Sequence, residues 1–197
     1  MLASFLLPTL AYFPHTSTTS FHAATSTFPP SPPTTFPCTT NSSSAPPTSV
    51  HRLRPQDVAV IGSVGDSISA GVGATAAHIL DVFNEDRGVS FVTGGEGSWS
   101  TSSTLANILK EFNPGLQGAS YGSTRAFVPL EQQPRAEVPP SLPATPSQVG
   151  FNLSTSRSLA RDVPGMVKAL VRRIRARVPA WRTVWKVVTI MVGGGVG

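Results

Sequence analysis

VAVIGSVGDSISAGVG, residues 58–73, couples an apolar β-type run to a Gly-Asp-Ser turn and a helix-like continuation. Val58 to Val64, with Gly62 and Ser63 inside it, is apolar without alternation, the pattern of a central parallel strand buried on both faces. Gly65 lets the chain turn sharply where a Cβ would collide. Ser67 then emerges at the carboxyl end of the strand, the rim at which open α/β sheets hold their ligands and chemistry. Asp66 and Ser67 also suit a helix start, so backbone N–H groups there would face a developing negative charge. Two readings of the pair follow from this pattern alone: a displayed serine nucleophile, or a plain helix cap. A helix running unbroken from Ser67 would carry His78 about three turns along, on the order of 15 Å away and beyond the reach of a general base.

The text on either side bears on that choice. HRLRPQD (51–57), GDSISAGVGA (65–74), LDVFNEDRGVSF (80–91) and TLANILKEFNP (104–114) come in order, followed by FNLSTSRSLARDVPGMVKALVRR (151–173) and WKVVTIMVGG (185–194). Together they resemble the GDSL (SGNH) hydrolases, and within them the membrane-associated phospholipase B group. The resemblance implies a flavodoxin-like α/β fold, a parallel sheet flanked by helices. It implies hydrolysis of fatty-acyl esters in phospholipids and lysophospholipids, with neither metal nor cofactor. Ser67 matches the family's nucleophile, and its own N–H would contribute to the oxyanion hole. The second block, which supplies an oxyanion-hole glycine, corresponds to NLSTSRSLA (152–160), with Arg157 at or beside the glycine position. Its backbone N–H survives that replacement, whereas a conformation chosen for glycine is unfavourable for arginine.

Two further family blocks have no counterpart among these 197 residues. The Asn expected after the Gly-Gly that ends a strand is replaced by Gly195-Val196-Gly197, and none of the four histidines, His15, His22, His51 and His78, follows an aspartate by three residues. A serine hydroxyl needs an imidazole within hydrogen-bond reach, itself oriented by a carboxylate. The expectation is therefore a partial domain, incomplete at its C-terminus, with the nucleophile half of a hydrolase site and impaired or absent turnover.

Composition adds domain limits. Runs such as TSTTS, FPPSPPTT and NSSSAPP make residues 1–50 a Ser/Thr/Pro-rich segment expected to be disordered, and 51–197 the partial hydrolase domain, interrupted at 126–150 by a Pro-rich insert. The opening MLASFLLPTLAYF is short, lacks an early Lys or Arg and contains Pro8, a poor transmembrane span or signal peptide. Membrane-associated or extracellular localisation is thus implied by the resemblance alone. A single cysteine, Cys38, excludes an internal disulfide framework and a cysteine-based zinc cluster.

Two helices and a strand complete the reading. Ser103 or Thr104 caps a helix to Phe112, with Leu105, Ile108, Leu109 and Phe112 on one face before Asn113-Pro114-Gly115 stops it. Asp162 caps a longer one, with Pro164 in its first turn and Met166, Leu170, Ile174 and Val178 as its stripe. Trp185 to Val192 reads as a buried strand. Nine of the fifteen basic residues lie between Arg157 and Lys186, where Asp162 is the only acid, so the helix is a solvated basic surface compatible with lipid headgroups. No nucleic-acid-binding signature accompanies it. Two other functions stay open: a non-catalytic fragment or interaction protein, and a Rossmann-type dinucleotide-binding domain, whose Gly-x-Gly-x-x-Gly fingerprint neither Gly62–Gly65 nor Gly71–Ala76 fully supplies.

Overall fold

Strand β1 (Val58–Gly65) forms where the apolar run sits, and all but Ala59 of its residues are buried. The computed structural model describes residues 35–39, 45–126 and 149–193. Most of the expected disordered tail, nearly all of the 126–150 insert and the glycines beyond Gly193 lie outside these residues. The elements after β1 are α1 (Ser67–Ala70), β2 (Asn84–Glu85), α2 (Leu105–Phe112), β3 (Thr124–Arg125), α3 (Val163–Arg177) and β4 (Trp185–Met191). The result is an α/β arrangement built on parallel pairing.

β1 is central because both of its edges are used. On one edge β4 runs parallel to it, from Val58 opposite Trp185 to Gly65 opposite Met191. On the other edge parallel bridges join Val60 to Gln117 and Ser63 to Asn152, and a further one joins Gly94 to Ser120. Parallel ladders need both faces covered. One face of β1 packs Ile61 with Val92, Leu109, Leu116 and Ala119 beside α2. The opposite face packs Val60 and Val64 with Phe151, Leu153 and the α3 residues Leu170 and Ile174. Val58 joins the α2 side although it is two residues from Val60, because the register shifts between them. An extra residue at such a shift turns later side chains to the other face.

The two long helices form where their sequence signals place them, with two changes: α2 buries Ala106, Asn107 and Leu109, while Leu105, Ile108 and Phe112 of its expected face are half-buried, and the cap of α3 differs. Thr104 caps α2, its Oγ1 accepting from the Asn107 N–H at 3.1 Å, and the helix ends at Asn113. α3 begins after Asp162, but that carboxylate accepts from the Leu159 N–H at 2.8 Å, in the turn before the helix, and makes no cap bond to the helix itself. Of the expected stripe, Leu170, Ile174 and Val178 are buried and Met166 is half-buried against the same cluster.

β4 departs from the expectation of full burial. None of its residues is fully buried, and Val188 and Ile190 are exposed. They lie opposite Gly62 and Val64, on the face that α3 covers over β1 and leaves open over β4. Parts of the first fifty residues do pack on this body. Phe36 meets Trp99 and Phe112 edge-on, at 5.2 Å between centroids in each case, and the Trp185 indole N–H donates to the Pro47 carbonyl at 3.1 Å.

Candidate active site

The turn after β1 is held at three points. The Asp66 N–H donates to the Met191 carbonyl at 3.3 Å, which ties the ends of the two parallel strands together. One carboxylate oxygen of Asp66 accepts from the Ile68 N–H at 3.0 Å, and the other from the Gly193 N–H at 2.9 Å. Asp66 is thus the helix cap, and it also clamps the glycines that follow β4. Gly65 has no room for a side chain, because a Cβ there would run into the Met191 carbonyl and the Ser69 hydroxyl. Ser67 follows as the first residue of α1, half-buried, where its N–H has no intrahelical acceptor.

The helix that should have continued to His78 stops after one turn. Gly71 adopts φ 78°, and a Cβ on it would meet the Asp86 carbonyl. Glycine takes this left-handed conformation without the penalty that other residues incur. The chain then doubles back: Val72 bridges Glu85 antiparallel, the Gly73 N–H donates to the Asn84 carbonyl at 2.9 Å, and the Asp86 N–H donates to the Gly71 carbonyl at 2.9 Å. His78 therefore sits exposed at the start of the turn Ile79–Phe83 instead of on a helix. His51 is exposed in the turn Val50–Arg52, which precedes β1 and so lies at the end of the sheet opposite Ser67. Neither imidazole hydrogen-bonds Ser67.

Residues 151–155 run beside the carboxyl half of β1. The Leu153 N–H donates to the Ser63 carbonyl at 2.8 Å and the Thr155 N–H to the Gly65 carbonyl at 3.0 Å. This brings the turn containing Arg157 to the same rim as Ser67. Arg157 has φ 66°, the only non-glycine residue with positive φ among those described. The left-handed conformation that suits glycine is kept, with an arginine adopting it.

A buried ionic network fixes this rim, and nothing in the local sequence announced it. Arg87 and Glu85 are 0% and 1% exposed, and the guanidinium donates to the Glu85 carboxylate at 2.6 Å. Arg87 also donates to the Thr124 hydroxyl at 2.8 Å, to the Ser154 carbonyl at 2.8 Å, and to both the carbonyl and the side-chain oxygen of Asn152 at 3.2 Å. The other Glu85 oxygen accepts from the Ser156 N–H and hydroxyl at 3.0 and 2.7 Å. The Asn152 amide donates in turn to the Ser69 carbonyl at 2.9 Å, inside α1. Burial pulls the Arg87 guanidinium below its ordinary pKa, and the Glu85 carboxylate works against that shift. The planar fork of arginine is what lets one side chain serve five acceptors on four residues at once. The network runs from α1 through Asn152 and Arg87 to the residues just before Arg157.

Sequence comparison shows a phospholipase B-like relationship over about three quarters of the chain. The mouse protein described as "Phospholipase B1, membrane-associated" is 36% identical over 157 residues, 78% of this chain. The rat and human proteins of the same description are 37% and 38% identical over 151 and 152 residues, each 75% of the chain. The chain spans 9% of the length of each of these curated relatives. No protein family description matches the chain, and no solved structure does.

Proposed function

We propose that this chain carries the nucleophile part of an SGNH-type lipid-ester hydrolase, acting on acyl esters of phospholipids or lysophospholipids. The observation that supports it best is the Gly65-Asp66-Ser67 turn. Asp66 is consumed by the cap and the β4 clamp, while the Ser67 hydroxyl, half-buried at the carboxyl rim, makes no hydrogen bond to any described residue. In this reading the Ser67 Oγ attacks the acyl carbonyl carbon, the lipid alcohol leaves, and water resolves the acyl-enzyme. The N–H groups of Ser67 and Arg157 face the oxyanion. The relatives' printed description extends the proposal to a membrane-associated setting, with the lipid itself as the partner and no nucleic acid.

Turnover is another matter. Removing one member of a Ser-His-Asp triad leaves residual catalysis from the oxyanion hole and binding alone. His51 and His78 are both exposed and neither is bonded to Ser67, so the hydroxyl has no base among the described residues. The second reading, a non-catalytic interaction protein, rests on that same observation. A fluorophosphonate probe separates the two when labelling is compared with that of Ser67→Ala, alongside lysophosphatidylcholine hydrolysis. Slow, Ser67-dependent labelling with little turnover is expected. Hydrolysis at ordinary enzymatic rates that Ser67→Ala abolishes would require a base outside the described residues, and labelling indifferent to Ser67 would favour the interaction protein.

A further inference from the structure

Asn152-Leu153-Ser154 has the Asn-x-Ser spacing of an N-glycan acceptor, with no proline at the middle position. The other such triplet in the sequence, Asn41-Ser42-Ser43, lies outside the described residues. A used acceptor belongs on a surface loop, where its amide can be reached. Asn152 is not on one. Asn152 and Ser154 are both 0% exposed, and Leu153 between them is buried in the cluster that holds Val60 and Val64.

Both polar atoms of the Asn152 side chain are fully engaged. Nδ2 donates to the Ser69 carbonyl at 2.9 Å and to the Ser90 hydroxyl at 3.3 Å. Oδ1 accepts from the Arg87 guanidinium at 3.2 Å and from the Ser154 N–H at 3.1 Å. N-glycosylation forms a bond from the sugar C1 to Nδ2 and breaks the bond from that C1 to the diphosphate of a lipid-linked oligosaccharide. The lipid diphosphate leaves, and the amide nitrogen gives up one of its two protons. The modified amide then has one N–H for two acceptors, and a buried acceptor without its donor is destabilising. The sugar meets a harder obstacle, because a side chain with no exposed surface sits in an interior packed without room for a hexose. Sugar on Asn152 and the native rim exclude each other.

The same contacts decide when the acceptor is open. Ser69, Arg87 and Ser90 lie 83, 65 and 62 residues away along the chain, so nothing near Asn152 in sequence hides its Nδ2. Contacts of such separation form only after long loops close. Until then the amide is in water.

We propose that Asn152 is an N-glycan acceptor open only before folding, and that sugar placed there bars the chain from its native rim, so that folded protein is unmodified at this position. None of this depends on the chemistry of Ser67. The test expresses the full chain behind a cleavable secretion signal in a glycosylating host, with Asn41→Gln so that Asn152 is the one acceptor triplet left. Peptide mass spectrometry reads Asn152 occupancy in the secreted, protease-resistant chain and in the retained, protease-sensitive chain. Occupancy is expected to be higher in the retained chain by about tenfold or more. Glu85→Gln, which removes the counter-charge of Arg87, is expected to raise total occupancy severalfold. Ser154→Ala abolishes the triplet while keeping the Ser154 backbone groups that Arg87 and Asn152 bond, and should raise the yield of secreted, folded chain. Its melt, measured on chain from a host without N-glycosylation, should match the parent's; if it falls, occupancy by fraction in the parent and in Glu85→Gln decides. Sugar on Asn152 of a protease-resistant chain that melts like the unmodified one would overturn the exclusion. Absence of sugar from every fraction, Glu85→Gln included, would show that the triplet is no acceptor. A heavily occupied parent whose secreted yield Ser154→Ala does not improve would show that the sugar does not stop folding.

Discussion

Glu85→Gln tests the buried network directly, because it keeps the side chain's shape and removes its charge. In the structure the two carboxylate oxygens accept four hydrogen bonds, from the Arg87 guanidinium, the Thr124 hydroxyl, and the Ser156 N–H and hydroxyl. A glutamine offers one oxygen and one amide nitrogen, so whichever way it turns, an N–H meets another donor. The larger effect is on Arg87, which is left as a fully buried cation without its counter-charge. Removing one partner of a buried pair costs about 3–5 kcal/mol. That is a large share of a domain stability of about 5–15 kcal/mol. With a urea slope of about 2 kcal/mol per molar, a loss of about 4 kcal/mol moves the unfolding midpoint down by about 2 M. Reversible urea unfolding followed by tryptophan fluorescence measures it. The double variant with Arg87→Met should lose less than the sum of the two single changes, since the stranded cation is gone. A midpoint shift below about 0.3 M for Glu85→Gln would mean that the pair is hydrated and the network does not hold the rim.

Other outcomes follow from single positions. Arg157→Gly relieves an arginine held at φ 66° and is expected to raise stability by up to about 1 kcal/mol, while Arg157→Val lowers it by a similar amount; a thermal melt in which glycine destabilises would contradict the left-handed assignment. Gly65→Ala forces a Cβ toward the Met191 carbonyl and should cost about 2 kcal/mol or more, read as loss of soluble folded protein or a lowered melting temperature. Hydrogen bonds from Arg54, at 2.7 and 2.8 Å from its side chain, hold the Asp57 carboxyl below its ordinary pKa. A depressed folded-state pKa gives stability that is present above about pH 4 and is lost as pH falls through the folded value, so Asp57→Asn should flatten stability against pH in that acid range; an unchanged profile would refute the pairing. Ile190→Lys, on the open part of β4, should reduce aggregation without lowering the melting temperature, as light scattering and calorimetry would show.

What the residues disclosed beforehand depended on how local the cause was. β1, α2 and α3 were legible because apolar spacing and capping residues act within a few positions, as with Thr104 and Asn113 around α2. The end of α1 was harder to see. Gly71 and Gly73 look like tolerable helix residues until residues 84–86 are known to pair against them. The position of Ser67 could be read from the strand and its turn, whereas the surroundings of Arg87 could not. Charged residues in the run Glu85-Asp86-Arg87 suggest a solvated surface, and only contacts with Asn152, Ser154 and Ser156, some 65 to 71 residues away, make them interior. The exposure of Val188 and Ile190 was missed for a similar reason, since an apolar run says nothing about whether an element lies over it.

The clamp between Asp66 and Gly193 spans 127 residues of chain. On a ribosome adding about 5–20 residues per second, the rim made by the first strand would wait on the order of 6 to 25 s for the segment that closes it. Throughout that interval the apolar edge of β1 that belongs to β4 is without its partner, and parallel pairing over so long a separation is slow in any case. Production of this protein should therefore be limited by the lifetime of a half-assembled sheet, and slower initiation, lower temperature or a holding chaperone should raise the yield of folded chain more than any change to the serine's surroundings.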